Sequence, residues 1–295
     1  MERQQLYCEA EFLIQFFNNR PRISSDDSFS EDTEVDIWNK YRDMFLKDAT
    51  LCLDVSLESF FKIENDFFNM LKKKKGNGEI KIKFDKFPIN FDEADNRHAF
   101  FFLSDSTKSR QMEENYGMMF ISNEDYIERA NFLFSSVTLL SIDTNTNWDI
   151  VQAFRHPCNS IILIDNYILG KKDMEKEIKT LFDSLLPNKL EKQKFTVTIF
   201  TKKADNEDKI KQKENLKKAI KTLRNYTIEV NINDVDHSQH DRSLITNYCL
   251  FECGYGFVLD YNERVKGTRL YINRITQPKV YQAILNLEKK LTKVG

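Results

Sequence analysis

His240-Asp241-Arg242, followed by Asn247 and then by Gly254-Tyr255-Gly256, is the sharpest local pattern in the chain. Side chains two apart on a strand share a face, so His240 and Arg242 at the entry to a strand point the same way, and Asn247 lies at its far end. An imidazole beside a guanidinium makes a small anion site. The plain alternative for His240 is a strand histidine with its hydrogen bonds satisfied.

A second group is acidic. Glu9 ends the first strand-like run, Asp54 ends the second, Glu58 lies one turn into the following helix, and Asp105 follows the apolar run His98 to Leu103. Parallel strands bring their C-terminal ends to one edge of a sheet, where ligand sites of open α/β folds lie. Carboxylates gathered there suit Mg²⁺ or Mn²⁺, which take oxygen ligands. The same acids are equally ordinary helix caps.

Alternation of strand and helix supplies these positions. Apolar or β-type runs at Thr50 to Val55, His98 to Leu103, Gly117 to Ile121, Ser160 to Ile164, Lys194 to Phe200 and Tyr226 to Ile232 read as strands. Helical spacing marks Ala10 to Phe17, a long aromatic stripe from Ser56 to Leu71, Thr107 to Asn115, Met174 to Leu186 and the Lys-rich segment Glu207 to Leu223. Ser243 to Cys253 and Gly256 to Leu259 read as strands, while Ile127 to Leu140 stays open between helix and strand. The pattern predicts an α/β fold of two domains, 1–150 with a parallel sheet and 151–295 with a mixed sheet.

Composition narrows the class. With 295 residues, 41% hydrophobic and 31% charged, the chain is long enough for a sizeable core and excludes wholesale disorder. The net charge of −2 hides an asymmetry: residues 1–157 carry 19 basic and 28 acidic side chains, and residues 158–295 carry 25 and 18. The basic second half is the better surface for a phosphate-bearing partner. Five cysteines without a CxxC pair, and no apolar run of membrane-spanning length, predict a reduced, cytoplasmic protein without a membrane span. Neither a GxxxxGK[ST] loop nor a zinc spacing occurs.

From His240 to Gly256 the sequence resembles the phospholipase D superfamily, whose motif runs His-x-Lys-x4-Asp and then reaches a glycine turn. Arg242 stands at the Lys position, Asn247 at the Asp position and Gly254 near the turn. The His-Asp-Arg variant is closer to the phospholipase D-like domain at the C-terminus of proteins with microtubule-interacting and trafficking modules, a non-catalytic lipid-binding relative, and to bacterial relatives. The likeness covers roughly 150–295, including the Asp165-Asn166-Tyr167 turn. It implies a phosphate site of His240, Arg242, Gly254 and Gly256, and a catalytic set of His240, Arg242 and Asn247 that a homodimer would complete. The Arg and Asn replacements weaken the expected chemistry.

The first half resembles a PIN-type nuclease domain, most closely through Phe102-Leu103-Ser104-Asp105, the following helix and Tyr116 to Ile121. That likeness implies RNA hydrolysis with Glu9, Asp54, Glu58 and Asp105 holding Mg²⁺ or Mn²⁺, and a fourth-acid role for Asp125 or Asp143. Together the two resemblances imply a bacterial nucleic-acid-directed hydrolase, a nuclease of a toxin or antiviral defence module acting on RNA or single-stranded DNA. The rival expectation is a non-catalytic adaptor for another phosphate-bearing ligand, a protein partner or an anionic membrane.

Overall fold

A computed structural model describes residues 3–21, 33–87, 97–142, 147–171, 173–235, 242–258 and 268–291. His240, Asp241, Asp143 and most of the acidic stretch from Ser24 to Glu34 lie outside the described residues. The chain divides into two compact units, Met1–Glu113 with Met118–Ser135, and Glu114–Gly117 with Ser136–Gly295. The division falls before residue 150 because the segment Thr138–Ile142 pairs with Thr268–Arg274 in the second unit's sheet.

The first unit runs β1 (Gln4–Cys8), α1 (Ala10–Asn18), α2 (Thr33–Asp43), a π-helical turn (Met44–Asp48), β2 (Ala49–Leu53), α3 (Leu57–Lys62), α4 (Asp66–Gly76), β3 (Lys81–Lys83), β4 (Phe100–Leu103), α5 (Ser106–Tyr116, which ends in the second unit), β5 (Phe120–Ser122) and α6 (Tyr126–Leu133). Its five strands are all parallel, in the order β3-β2-β1-β4-β5. Strand order reverses between β1 and β4, so Glu9 and Ser104 stand at the switch point. The apolar run of β4 is fully buried, as a central parallel strand requires, and Phe12, Phe45 and Phe102 pack with ring centroids 4.9–6.4 Å apart.

The aromatic stripe from Ser56 to Leu71 is two helices instead of one. Ser56 Oγ accepts from Ser59 N at the start of α3, and Asn65 Oδ1 accepts from Phe67 N at the start of α4, so a second cap interrupts the run. The open segment Ile127 to Leu140 resolves into α6 and the following strand.

The second unit runs β6 (Thr138–Ile142), a 3-10 helix (Trp148–Phe154), β7 (Ser160–Ile164), α7 (Met174–Leu185), β8 (Phe195–Lys202), α8 (Glu207–Lys221), β9 (Ile228–Val235), β10 (Ser243–Ile245), β11 (Cys249–Cys253), β12 (Thr268–Arg274) and α9 (Pro278–Leu291). The mixed sheet has the order β6-β12-β11-β10-β7-β8-β9. Strands β7, β8 and β9 are parallel, whereas β10 is antiparallel to β7 and β11. Two sequence expectations change here. Thr246 Oγ1 accepts from Cys249 N and closes a turn that splits Ser243 to Cys253 into β10 and β11. Gly256, with φ +101°, lies in a turn, so Gly256 to Val258 is no strand.

Candidate phosphate-binding edge

The C-terminal ends of β7, β8, β9 and β11 and the N-terminal end of β10 share one edge of the mixed sheet. Asp165 follows β7 and Arg242 precedes β10, so the register Ser243↔Ile164 sets them opposite each other. Asp165 is fully buried. Its Oδ1 accepts from Tyr167 N (2.9 Å) and its Oδ2 from Phe257 N (3.0 Å), which gives the buried carboxylate the donors it needs. Arg242 Nε lies 3.9 Å from Asp165 Oδ1.

Three further contacts fix the guanidinium. Its Nη1 donates to Gly254 O, its Cζ stands 4.9 Å from the centroid of the Tyr167 ring, and its chain packs against Gly256. A Cβ at Gly256 would sit 2.6 Å from Asp165 Oδ2 and 3.2 Å from Arg242 Cδ, so only glycine fits there. Arg242 Nε is buried without a hydrogen-bond partner. The register Ile164↔Phe200 places Thr201 beside Asp165, and the Oγ1 of this fully buried residue also lacks a partner. A guanidinium held in place with unused N–H groups is the group that grips an oxyanion.

Asn247 is not part of this edge. It lies beyond the other end of β10, fully buried, where its Oδ1 accepts from Asn159 N (3.1 Å) and Ser160 N (3.2 Å) and its Nδ2 donates to Asn159 Oδ1 (2.9 Å). Asn159 precedes β7 and Asp165 follows it, so the length of that strand separates Asn247 from Arg242. Of the expected phosphate set, Arg242, Gly254 and Gly256 come together, and His240 lies outside the described residues. Sequence reasoning did not give Asp165 and Tyr167 a role; the signal was an acid directly after an apolar strand, Ser160 to Ile164.

Each of the four carboxylates of the first unit has a local partner. Glu9 Oε2 accepts from Ser104 N (2.9 Å) and Oγ (2.7 Å), and its Oε1 takes the Lys108 ammonium at 2.8 Å. Burial would raise the Glu9 carboxyl, but these donors outweigh it and hold the group below the usual range. Asp54 Oδ1 accepts from Ala10 N (2.8 Å) and so caps α1, and burial foremost raises its carboxyl. Asp105 Oδ1 accepts from Thr107 N and Lys108 N at the start of α5, while Glu58 is exposed and pairs with Lys62. Asp125 is taken by Ser122 and Arg129. Among the described residues no group of three or more His, Cys, Asp or Glu side chains is placed to hold a metal ion.

Among the described residues no helix is long and apolar enough to cross a membrane. No family model matches the chain, and no curated protein matches it. Solved structures with local likeness include Nuc of Salmonella typhimurium, a phospholipase D family member: identity is 14%, coverage is 54% of this chain and 95% of that one, and the TM-score is 0.36. Polyphosphate kinase from Porphyromonas gingivalis shares 12% identity over 52% of this chain and 24% of that one, with a TM-score of 0.34. TrmBL2, an archaeal chromatin protein described with a novel mode of DNA binding, shares 13% identity over 57% of this chain and 59% of that one, with a TM-score of 0.29.

Proposed function

We propose that the Asp165–Arg242 edge binds a phosphate group and that the protein works on or through a phosphate-bearing ligand. The observation that carries this reading is the Arg242 guanidinium. It is oriented by Asp165, Gly254 and Tyr167, yet its buried Nε has no hydrogen-bond partner. A guanidinium stays charged and keeps donors beyond the one spent on Gly254 O, which suits a phosphate oxygen. A hydrolytic role is the second reading, favoured by His240 two positions before Arg242 in the sequence. In that role His240 would attack phosphorus or protonate the leaving oxygen. Against it stands Asn247, whose amide is committed at the other end of β10. Binding without cleavage is therefore the reading we favour.

The test is retention and degradation of labelled single-stranded RNA and DNA by the purified protein, with and without Mn²⁺. We expect retention without cleavage, and loss of retention in Arg242→Ala. Cleavage that ignores chelator and disappears in His240→Ala would establish hydrolysis at this edge. Cleavage lost in Asp105→Asn and indifferent to Arg242→Ala would move the chemistry to the first unit and overturn the proposal.

A further inference from the structure

Next to Arg242 an open cleft of about 350 Å³ lies where β7 and β8 end, within the size range of small-ligand sites, roughly 300–1,000 Å³. Tyr167, Gly170, Lys171, Lys202, Lys203 and Lys209 line it, and no acidic residue does. Lys209 pairs with Asp205 at 2.8 Å, and Lys171 faces the Tyr255 ring and Val258 O. Lys202 and Lys203 are exposed, and Lys202 acts at a distance on the Asp205 carboxylate that Lys209 pairs with. Such a density of ammonium groups in a concavity repels itself unless an anion fills it. Tyr167 belongs to both places: its ring stands 4.9 Å from Arg242 Cζ, it lines the cleft, and it is 44% exposed.

Resting on the phosphate reading of Arg242, we propose that the lysine cleft takes neighbouring phosphates of the same ligand, and that this ligand is a single-stranded nucleic acid. Two anion sites in series match a chain of phosphates, and an exposed aromatic ring between them matches an unstacked base. Duplexes keep their bases stacked away from such a ring. Tyr167 stacks on a base, Arg242 holds one phosphate, and Lys202 and Lys203 hold the next.

The experiment compares a fluorescein-labelled oligothymidylate of about 12 nucleotides, inside the usual site-size range, with thymidine 5′-monophosphate as the single-phosphate probe. The variants are Arg242→Ala and the double variant Lys202→Gln/Lys203→Gln, whose side chains are exposed. We expect the double variant to bind the strand about tenfold more weakly and to lower the salt slope by roughly 1.4, since each lysine on a single-strand phosphate accounts for about 0.7. It should bind the monophosphate as the unaltered protein does, whereas Arg242→Ala loses both ligands. Strand binding unchanged in the double variant, with the monophosphate still dependent on Arg242, would overturn the cleft assignment and leave the Arg242 site standing. Monophosphate binding indifferent to Arg242→Ala would overturn the Arg242 reading instead, and the double variant would then report on the cleft alone. Sedimentation with phosphatidylserine vesicles without any strand binding would make the occupant a lipid and overturn the proposal.

Discussion

Arg242 Nε stands 3.9 Å from Oδ1 of Asp165, a carboxylate with no exposure to solvent whose two oxygens are already taken by Tyr167 N and Phe257 N. The pair is close enough for charge to matter and too long for a hydrogen bond. Asp165 therefore fixes the Tyr167 and Phe257 turns and balances the arginine without occupying its N–H groups.

Asp165→Asn separates those roles. The amide keeps one acceptor but turns a donor towards a backbone N–H, which leaves a buried group unsatisfied at a cost of about 1–3 kcal/mol. Urea unfolding should show a loss of that size. Phosphate affinity should fall in the surviving folded protein, because the turn carrying Tyr167 is no longer anchored. An unchanged urea midpoint would show that the Asp165 hydrogen bonds contribute little.

Gly256 and Gly254 make a paired test. Gly256→Ala forces a Cβ to 2.6 Å from Asp165 Oδ2 at φ +101°, a strained conformation costing about 1–3 kcal/mol, and displaces Arg242 as it relaxes. Gly254→Ala meets nothing within 4 Å, so its effect should stay within about 0.5 kcal/mol. Thermal unfolding with phosphate titration reads both, and equal losses in the two variants would contradict the close approach at Gly256.

How much of this was legible beforehand depends on range. The parallel first sheet, the mixed second sheet and the strand runs at 160–164 and 195–200 follow from local apolar patterning, which a single sequence carries. The breaks at Asn65 and Thr246 rest on single side-chain caps inside apolar runs, so the pattern alone passed over them. Arg242 was legible because its spacing to the glycines is local. Its partner Asp165 lies 77 positions earlier, and only the antiparallel pairing of β7 with β10 brings it near. For the acids of the first unit, strand-end position was readable, but the competing claims of Lys108, Ser104 and the helix N–H groups were not.

Asn247→Asp tests whether the position keeps a latent catalytic role. Its Nδ2 donates to Asn159 Oδ1, and an aspartate there would set a buried charge against that oxygen. The variant should lose about 1–3 kcal/mol of stability in urea unfolding and gain no strand cleavage. Cleavage appearing in Asn247→Asp would show that the residue communicates with Arg242 along β10.

The Glu9–Lys108 pair predicts a pH signature. Against the effect of burial, Lys108 and Ser104 hold the Glu9 carboxyl below its ordinary value of 4.5, so folding favours the ionised form. The stability this gives is present above about pH 4.5 and is lost as pH falls through the lower, folded value. Asp54 also feels the Lys108 charge, which lowers a carboxyl that burial raises, so removing Lys108 acts on both acids in the same sense. Lys108→Met should therefore melt below the unaltered protein at pH 7. The gap in melting temperature should narrow as pH falls below about 4.5 and the two carboxyls take up protons. A gap that stays constant from pH 7 to pH 3 would show that Lys108 contributes packing alone, and that its ammonium has no energetic hold on Glu9.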